Sequence, residues 1–208
     1  IPLLIPENGT MALNAPLTPS RYGSCSTRTV HPHYLSLLRQ ITTKLGLPNS
    51  LVNPLEMKTK GECLTECLNR KVLISAIPYS ASCGKRGRKQ HWVHRNAKQC
   101  GICIPCIYRR AALHQLGQDN ELYGYDFCTG DIDIHSSHQS VKDFLTYLAF
   151  LQRHPSQDEI GKLLIRNGKI DITQLPAYAS IVERASNEVR DLLRDKASDE
   201  IKHQAGLL

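Results

Sequence analysis

Apolar residues recur at every third or fourth position along the C-terminal part of the chain, which is the spacing of amphipathic α-helices. Such stripes cover residues 141–151, 157–168 and 173–192. Ser140 with Asp143 is expected to cap the first of these helices, and Ser156 and Glu159 have the spacing of a capping box at the start of the second. The pattern predicts a helical tail whose apolar stripes pack into a core.

Apolar runs in the N-terminal part of the chain are short and predict extended segments. Residues 1–6 are typical of a short buried strand that ends in a turn, and residues 11–17 predict a second extended piece. Residues 51–55 and 72–77 also predict strands. Because helical patterns separate several of these runs, we expect an α/β class with a largely parallel sheet.

Helical spacing in the same part of the chain predicts helices over residues 31–45, 59–70 and 107–116. Thr59 and Glu62 form a second capping box at the start of the middle one. Strands and helices therefore alternate up to about residue 118, where the chain becomes irregular before the helical tail.

Four cysteines carry the clearest chemical signal: Cys83, Cys100, Cys103 and Cys106, with the spacing C-x16-C-x2-C-x2-C. Two residues between cysteines let two thiolates bind one metal ion from a tight turn, and Gly101 suits the backbone of such a turn. Four thiolates around a tetrahedral ion are typical of a closed structural zinc site. An iron–sulfur cluster and disulfides are the alternatives.

The remaining four cysteines do not have the spacing of a metal site with four ligands. Cys25, Cys63, Cys67 and Cys128 are typical of small buried side chains. Cys63 and Cys67 lie four residues apart on a predicted helix, so a second ligand pair is the alternative, but no histidines with matching spacing lie near them.

Charge is distributed unevenly along the 208 residues, whose formal net charge is +7. Residues 1–118 carry 16 Lys and Arg against 4 Asp and Glu, whereas residues 119–208 carry 10 against 15. No acidic residue stands between Glu66 and Asp119, although this stretch holds ten Lys and Arg. The sequence therefore predicts a basic surface around the cysteines.

Part of the basic excess is expected to offset the negative charge of a metal tetrathiolate, a role that suits Arg109 and Arg110. The loop 85–98 adds further cations and Trp92. Lys85, Arg86, Arg88 and Lys89 would bind phosphates and Trp92 would stack on a base, which predicts nucleic acid as a partner. A solvated loop without a partner is the alternative.

Several polar side chains lie where ligands bind in α/β folds, beyond the carboxyl end of a strand or between a strand and a helix. A turn residue, a helix start or a surface lysine are the alternatives for individual members. No residue is singled out as a catalytic base. The candidate substrate- or nucleotide-binding residues are Glu7, Asn8, Arg28, Thr29, His31 and Lys60.

Three blocks occur in order along residues 1–115: Thr27-Arg28-Thr29-Val30-His31-Pro32; Thr59-Lys60-Gly61-Glu62 after Asn53-Pro54; and Ser82-Cys83 with Cys100-Gly101-x-Cys103-x-x-Cys106 and Arg109-Arg110-Ala111. Their order resembles the C-terminal half of the 7-cyano-7-deazaguanine synthase (QueC) family. The Thr-Arg-Thr-x-His-Pro block and the long helical tail are most similar to the QueC-like proteins of bacterial anti-phage systems, the QatC type. The loop between Cys83 and Cys100 is longer than in the synthases.

The resemblance implies part of an adenine-nucleotide α-hydrolase-like, Rossmann-like parallel sheet with a zinc-knuckle subdomain and a C-terminal helical tail. The expected domains are residues 1–80, 81–118 and 119–208. The synthases use ATP and Mg²⁺ to adenylate a deazaguanine carboxylate, and ammonia then gives an amide and finally a nitrile. We accordingly expect a cytoplasmic, QueC-like carbon–nitrogen ligase of antiviral defence.

The family's ATP pyrophosphatase loop, Ser-Gly-Gly-x-Asp-Ser, does not occur in the 208 residues. We therefore expect a C-terminal fragment, a split protein or a pseudoenzyme, with ligase activity once the N-terminal half is supplied. The helical tail would dock a protein partner. A nucleic-acid-binding zinc-knuckle module and a non-catalytic scaffold are the alternative functions, and no apolar run is long enough for a membrane span.

Overall fold

The computed structural model describes residues 1–18, 28–129 and 132–208. The described part is mainly helical, with one small parallel sheet. This does not contradict the expected α/β class, but a full Rossmann-like sheet is not present in these residues. The elements are β1 Leu3–Leu4, α1 Gly9–Leu13, α2 Pro32–Lys44, β2 Leu51–Val52, α3 Lys60–Thr65, α4 Arg70–Ala76, α5 Ile104–Gln115, α6 Gln139–Gln152, α7 Gln157–Asn167, α8 Leu175–Lys196 and α9 Asp199–Gln204. Short 3₁₀ turns occupy Ile77–Tyr79, Arg86–His91 and Ile172–Gln174.

The sheet consists of β1 and β2, which pair in parallel with Leu3 opposite Leu51 and Leu4 opposite Val52. Both strands were expected, but the first is not buried, because Leu3 and Leu4 are 56% and 57% exposed. The connection between the strands contains α2, as parallel pairing requires a crossover.

Two segments predicted to be extended are helical, and an asparagine cap explains each. Residues 11–17 were predicted as a strand, but α1 occupies their first part because Asn8 accepts a hydrogen bond from the Met11 amide. Residues 72–77 were also predicted as a strand, yet α4 forms where Asn69 accepts from the Val72 amide. Short apolar runs do not distinguish strand from helix, and here the cap decides.

The chain forms two compact units, each built from two stretches of sequence. Unit 1 comprises residues 1–59 and 155–184. Its α7 begins at the predicted capping box, in which Ser156 and Glu159 bond to each other's backbone amides. The buried apolar side chains of this unit include Leu13, Leu17, Leu35, Ile160, Leu164, Tyr178 and Ile181.

Unit 2 comprises residues 60–154 and 185–208, and it contains the cysteine block. Phe127 stacks on Phe144 with ring centroids 5.5 Å apart, and Tyr108 meets Tyr147 edge to face. The predicted tail stripes are confirmed as core: Val141, Phe144, Leu148 and Leu151 are buried, as are Ala185, Val189 and Leu192. The described residues of the stretch 118–138, which are 118–129 and 132–138, are irregular, as predicted.

Several helix ends match the sequence pattern, and one does not. Helix α2 begins with His31 as its N-cap and ends before Gly46, as predicted. Helix α6 was expected to begin at a Ser140–Asp143 cap, but His138 caps it instead, through its Nδ1 and the Ser140 amide. Among the described residues, none of the helices has the length and apolar character needed to cross a membrane.

Candidate metal centre and ligand residues

The four predicted cysteines converge in unit 2. The Sγ atoms of Cys83, Cys100, Cys103 and Cys106 all lie within 4.8 Å of one another, and those of Cys100 and Cys106 are 3.8 Å apart. A tetrahedral ion with Zn–S bonds of about 2.3 Å separates its sulfurs by about 3.8 Å. The cluster could hold a metal ion, and its geometry is consistent with structural zinc.

Local backbone geometry explains how the last three cysteines meet. Gly101 has φ of +87°, and a Cβ at this position would collide with the Tyr125 carbonyl oxygen. This turn directs the Cys103 amide at the Cys100 sulfur, at 3.3 Å. Cys103 then caps α5 and Cys106 lies in the first turn of that helix. The positive end of the helix dipole favours their thiolate forms.

Cys83 joins the cluster from a second point of the chain. Its sulfur accepts hydrogen bonds from the amides of Lys85 and Cys100, each at 3.4 Å. Donors aimed at sulfur stabilise a thiolate, so both halves of the cluster are prepared for a cation before any ion binds.

Hydrogen bonds among the four thiols shift their pKa values in opposite directions. Bonds from the neighbouring thiols, that of Cys100 foremost, hold the pKa of Cys83 below the ordinary thiol value, and bonds from Cys100 and then Cys106 lower the pKa of Cys103. The counterpart effect raises the pKa values of Cys100 and Cys106, because they donate to ionised neighbours. A divalent cation would replace the shared protons and allow all four thiolates to form.

The other cysteines lie outside this cluster. Cys63 and Cys67 are partly exposed, and the described residues give no third ligand beside them for a second metal site. Burial raises the pKa of the Cys128 thiol to about 11, although the Arg110 guanidinium opposes that shift. Cys25 is outside the described residues.

The arginines that follow the last ligand pair with carboxylates, which corrects their expected role as counter-charges to the thiolates. Arg109 binds Glu121, and Arg110 binds Asp119 at 3.2 Å and Asp126 at 2.9 Å. Within unit 2, acidic residues of the irregular segment thus neutralise basic residues of α5. The basic excess of residues 1–118 is partly explained by this pairing.

The predicted nucleic-acid loop departs from expectation at Trp92. Its side chain is buried, and the indole lies over Gly124, where a Cβ would come within 2.5 Å of the ring. Trp92 is therefore not placed to stack on a base. Lys85 is also engaged, since it binds Asp143 at 3.0 Å and Ser140 at 3.2 Å.

The carboxyl ends of β1 and β2 carry polar side chains, as expected for a ligand edge. Asn53, which follows β2, donates to the Glu7 carbonyl oxygen at 2.8 Å. Asn8 donates to the Glu7 carboxylate at 2.9 Å while its Oδ1 caps α1. The sequence analysis named Glu7 and Asn8 but missed Asn53, whose position directly after an apolar run was the available signal.

Arg28 and His31 also lie in unit 1, around the end of α7. Arg28 donates to Asn167 at 2.7 Å, and its buried Nε has no partner among the described residues. A Cβ on Gly168 would lie 3.8 Å from an Arg28 nitrogen and 4.0 Å from the His31 ring. Burial first, and then the Arg28 charge, lowers the pKa of His31.

The other predicted ligand residues are placed differently. Thr29 is exposed on the turn before α2, and Thr27 of the same block falls outside the described residues. Lys60 belongs to unit 2, at the start of α3, where it donates to Ser82 at 3.2 Å. Lys60 therefore lies beside the cysteine cluster in the chain's fold, since Ser82 precedes Cys83.

Unit 1 also contains a cleft of about 550 Å³ that the sequence analysis did not identify. Charged groups of both signs line it, including Arg39, Glu56, Lys169 and Asp171. None of the predicted ligand residues contributes to its lining. Lining residues from three separate stretches of sequence form no local pattern, which explains why the cleft was missed.

Comparisons of this chain with protein-family models, with curated proteins and with solved structures found no match.

Proposed function

We propose that the chain is the zinc-anchored part of a QueC-like ATP-dependent synthase, whose unit 1 binds the carboxylate-bearing deazaguanine. The observation that carries the proposal is the polar group of Glu7, Asn8 and Asn53 beyond the carboxyl ends of two parallel strands. Ligands of open α/β sheets bind at this edge. Glu7 and Asn8 were predicted from the sequence as ligand residues at this edge.

A second polar group supports the same assignment. Asn167 links Arg28 to the end of α1, because it accepts from Arg28 and donates to the carbonyl oxygens of Leu13 and Asn14. Asn8 and Asn14 cap opposite ends of α1, about 9 Å apart at the ordinary helical rise. That separation is similar to the length of a fused two-ring base with its carboxylate.

The roles follow from the chemistry of the side chains. The Arg28 guanidinium, with its unpartnered Nε, would bind the substrate carboxylate, and the Glu7 carboxylate, oriented by Asn8, would accept hydrogen bonds from the edge of the base. His31, held neutral by its lowered pKa, would accept or donate one hydrogen bond without adding charge. Mg²⁺ would enter with ATP and offset the charge of its phosphates.

Zinc would have a structural role in this proposal. Four thiolates fill a tetrahedral ion and leave no position for water or substrate. The ion would fix the start of α5 and, through Cys83, the position of Ser82 and its bond with Lys60.

The test is direct binding of 7-carboxy-7-deazaguanine to the zinc-loaded chain by titration calorimetry. We expect saturable binding that Arg28→Gln weakens by about 10-fold to 100-fold, the loss of a charge-assisted hydrogen bond. Arg166→Gln, at an exposed position of unit 1, should leave it unchanged. 7-Deazaguanine without the carboxylate should bind weakly to the parent chain and equally weakly to Arg28→Gln.

Absence of binding by a folded, metal-loaded chain would contradict the proposal and favour the scaffold alternative. Equally strong binding of both ligands would show that the site recognises the base but not the carboxylate. It would exclude the role proposed for Arg28.

A further inference from the structure

The segment between the first two metal-ligand cysteines forms a fixed basic surface, here called the basic segment and defined as residues 85–98. Its start is held by the Lys85–Asp143 ion pair, at 3.0 Å. Its middle is held by buried Trp92 and by a hydrogen bond from the Tyr125 hydroxyl to the His91 carbonyl oxygen. The His94 amide donates to the Gly124 carbonyl oxygen at 3.1 Å. The cations of this segment therefore project from an anchored backbone.

Four cationic side chains of the basic segment form no ion pair or hydrogen bond with any residue that the structure describes: Arg86, Arg88, Lys89 and Arg95. Three of them are exposed, and Lys89 is half-buried. They contrast with Lys85, Arg109 and Arg110, which all pair with carboxylates. Four cations without a carboxylate partner thus lie within one ten-residue stretch of unit 2.

An exposed aromatic ring lies at the end of the basic segment. Lys98 donates to the Pro78 carbonyl oxygen at 2.7 Å, which fixes the adjacent Tyr79 close to that lysine. The Tyr79 side chain is 90% exposed, although aromatic rings of this size usually bury most of their area. An exposed aromatic ring next to a basic segment is an arrangement on which unpaired bases stack.

We propose that the basic segment and Tyr79 form a binding surface for single-stranded nucleic acid, with the cations on phosphates and the tyrosine ring on a base. The surface is independent of the deazaguanine site proposed above, because its residues all belong to unit 2. Guanidinium groups bind phosphate oxygens in pairs, and the anchored backbone lowers the entropy lost on binding. A duplex would leave Tyr79 without a base face to stack on.

The test is fluorescence anisotropy of the zinc-loaded chain with a labelled single strand of about 16 nucleotides, DNA and RNA in parallel, over a series of salt concentrations. Four phosphate contacts predict a slope of log K against log salt of about −2.8. Replacing Arg86, Arg88, Lys89 and Arg95 by Gln together should abolish most of this slope. Tyr79→Ala should weaken binding by between about 5-fold and 150-fold, while Tyr79→Phe should retain it.

A matched control variant removes the same four charges elsewhere. Lys44→Gln, Lys142→Gln, Arg153→Gln and Arg166→Gln lie at exposed positions outside the basic segment and should leave binding unchanged. Metal content and the melting temperature confirm that each variant is folded.

Three results would overturn the proposal. Equal loss in the control variant would show that net charge alone attracts the strand. Equal binding of a polyglutamate of matched charge, with no effect of Tyr79→Ala, would assign the surface to an acidic protein. Displacement of the strand by Mg·ATP at concentrations near its cellular level would assign the cations to a mononucleotide.

Discussion

Arg109 donates from Nε and Nη2 to the two carboxylate oxygens of Glu121, at 2.8 and 3.1 Å. The remaining donors of the guanidinium reach Ser80 and the Ile77 carbonyl oxygen, at 2.8 and 3.0 Å. One side chain on α5 therefore connects the segment before the cysteine block with the irregular segment after it. Gln99 adds a second link, since it accepts from the Ser82 amide and donates to Glu121.

Arg109→Lys should destabilise the chain by about 2 to 4 kcal/mol, because an ammonium cannot replace the fork and leaves buried acceptors without donors. Chemical denaturation measures the free energy of unfolding. Glu121→Gln should cost less, since the amide still accepts from Arg109, and a double-mutant cycle should give a coupling above about 1 kcal/mol. Additive effects would mean that the pair contributes no specific interaction.

Metal analysis should find one zinc per chain, and Cys100→Ser or Cys106→Ser should remove it. Metal binding to such sites contributes about 10 kcal/mol or more to folding in small zinc domains, so the melting temperature should fall strongly. Cys67→Ser and Cys128→Ser are the matched controls and should keep the metal. Brown colour with visible absorption and bound iron would instead indicate an iron–sulfur cluster.

Gly101→Ala should destabilise unit 2 by more than the about 1 to 2 kcal/mol that a left-handed backbone costs alone, because the new Cβ also collides with the Tyr125 carbonyl oxygen. Gly117→Ala measures the cost of the left-handed backbone without the collision, because the φ of Gly117 is +67° but nothing lies near the added carbon. Gly87→Ala, with open space and no positive φ, should be neutral. Equal melting temperatures for Gly101→Ala and Gly117→Ala would show that the collision with the Tyr125 carbonyl oxygen does not contribute to the loss of stability.

Acid should destabilise unit 1 through His31. Burial lowers the pKa of this imidazole in the folded state below the ordinary 6.5, so the unfolded chain takes up the proton more readily. The fold is then favoured above pH 6.5 and loses up to about 1.4 kcal/mol per pH unit as the pH falls towards the folded pKa. His31→Asn keeps an N-cap residue, and melting temperatures across this pH range should depend less on acidity in that variant.

An unchanged pH profile in His31→Asn would assign the acid sensitivity to other groups. A uniform loss of stability at every pH would instead measure how much the His31 N-cap contributes to the free energy of unfolding.

The cysteine cluster could be predicted from the sequence because its information is local. Cys100, Cys103 and Cys106 are fixed by one turn and one helix start, so only Cys83 had to arrive from a distance. The apolar stripes of α6, α7 and α8 could also be predicted, because each stripe spans several helical turns and packs into a core.

Strand and helix were confused where the apolar run was short. Residues 72–77 contain β-branched residues that favour a strand. However, Asn69 caps the start of α4, and the 3₁₀ turn Ile77–Tyr79 with Pro78 follows directly after that helix. The burial of Trp92 also could not be foreseen, because it depends on Gly124, which stands 32 residues further along and offers the indole a surface without a side chain. Neither the Asn69 cap nor the contact between Trp92 and Gly124 produces a periodic pattern in the sequence.

The sixteen residues between Cys83 and Cys100 form a loop whose ends a bound metal ion would join. The entropy of closing such a loop grows only slowly with length, by about 0.6 kcal/mol per doubling, once the closing bond is supplied. The cysteine cluster therefore allows the exposed part of this segment, around Gly87, to change in length or charge by design. Trp92 has to be kept, because its buried ring is part of the core of unit 2.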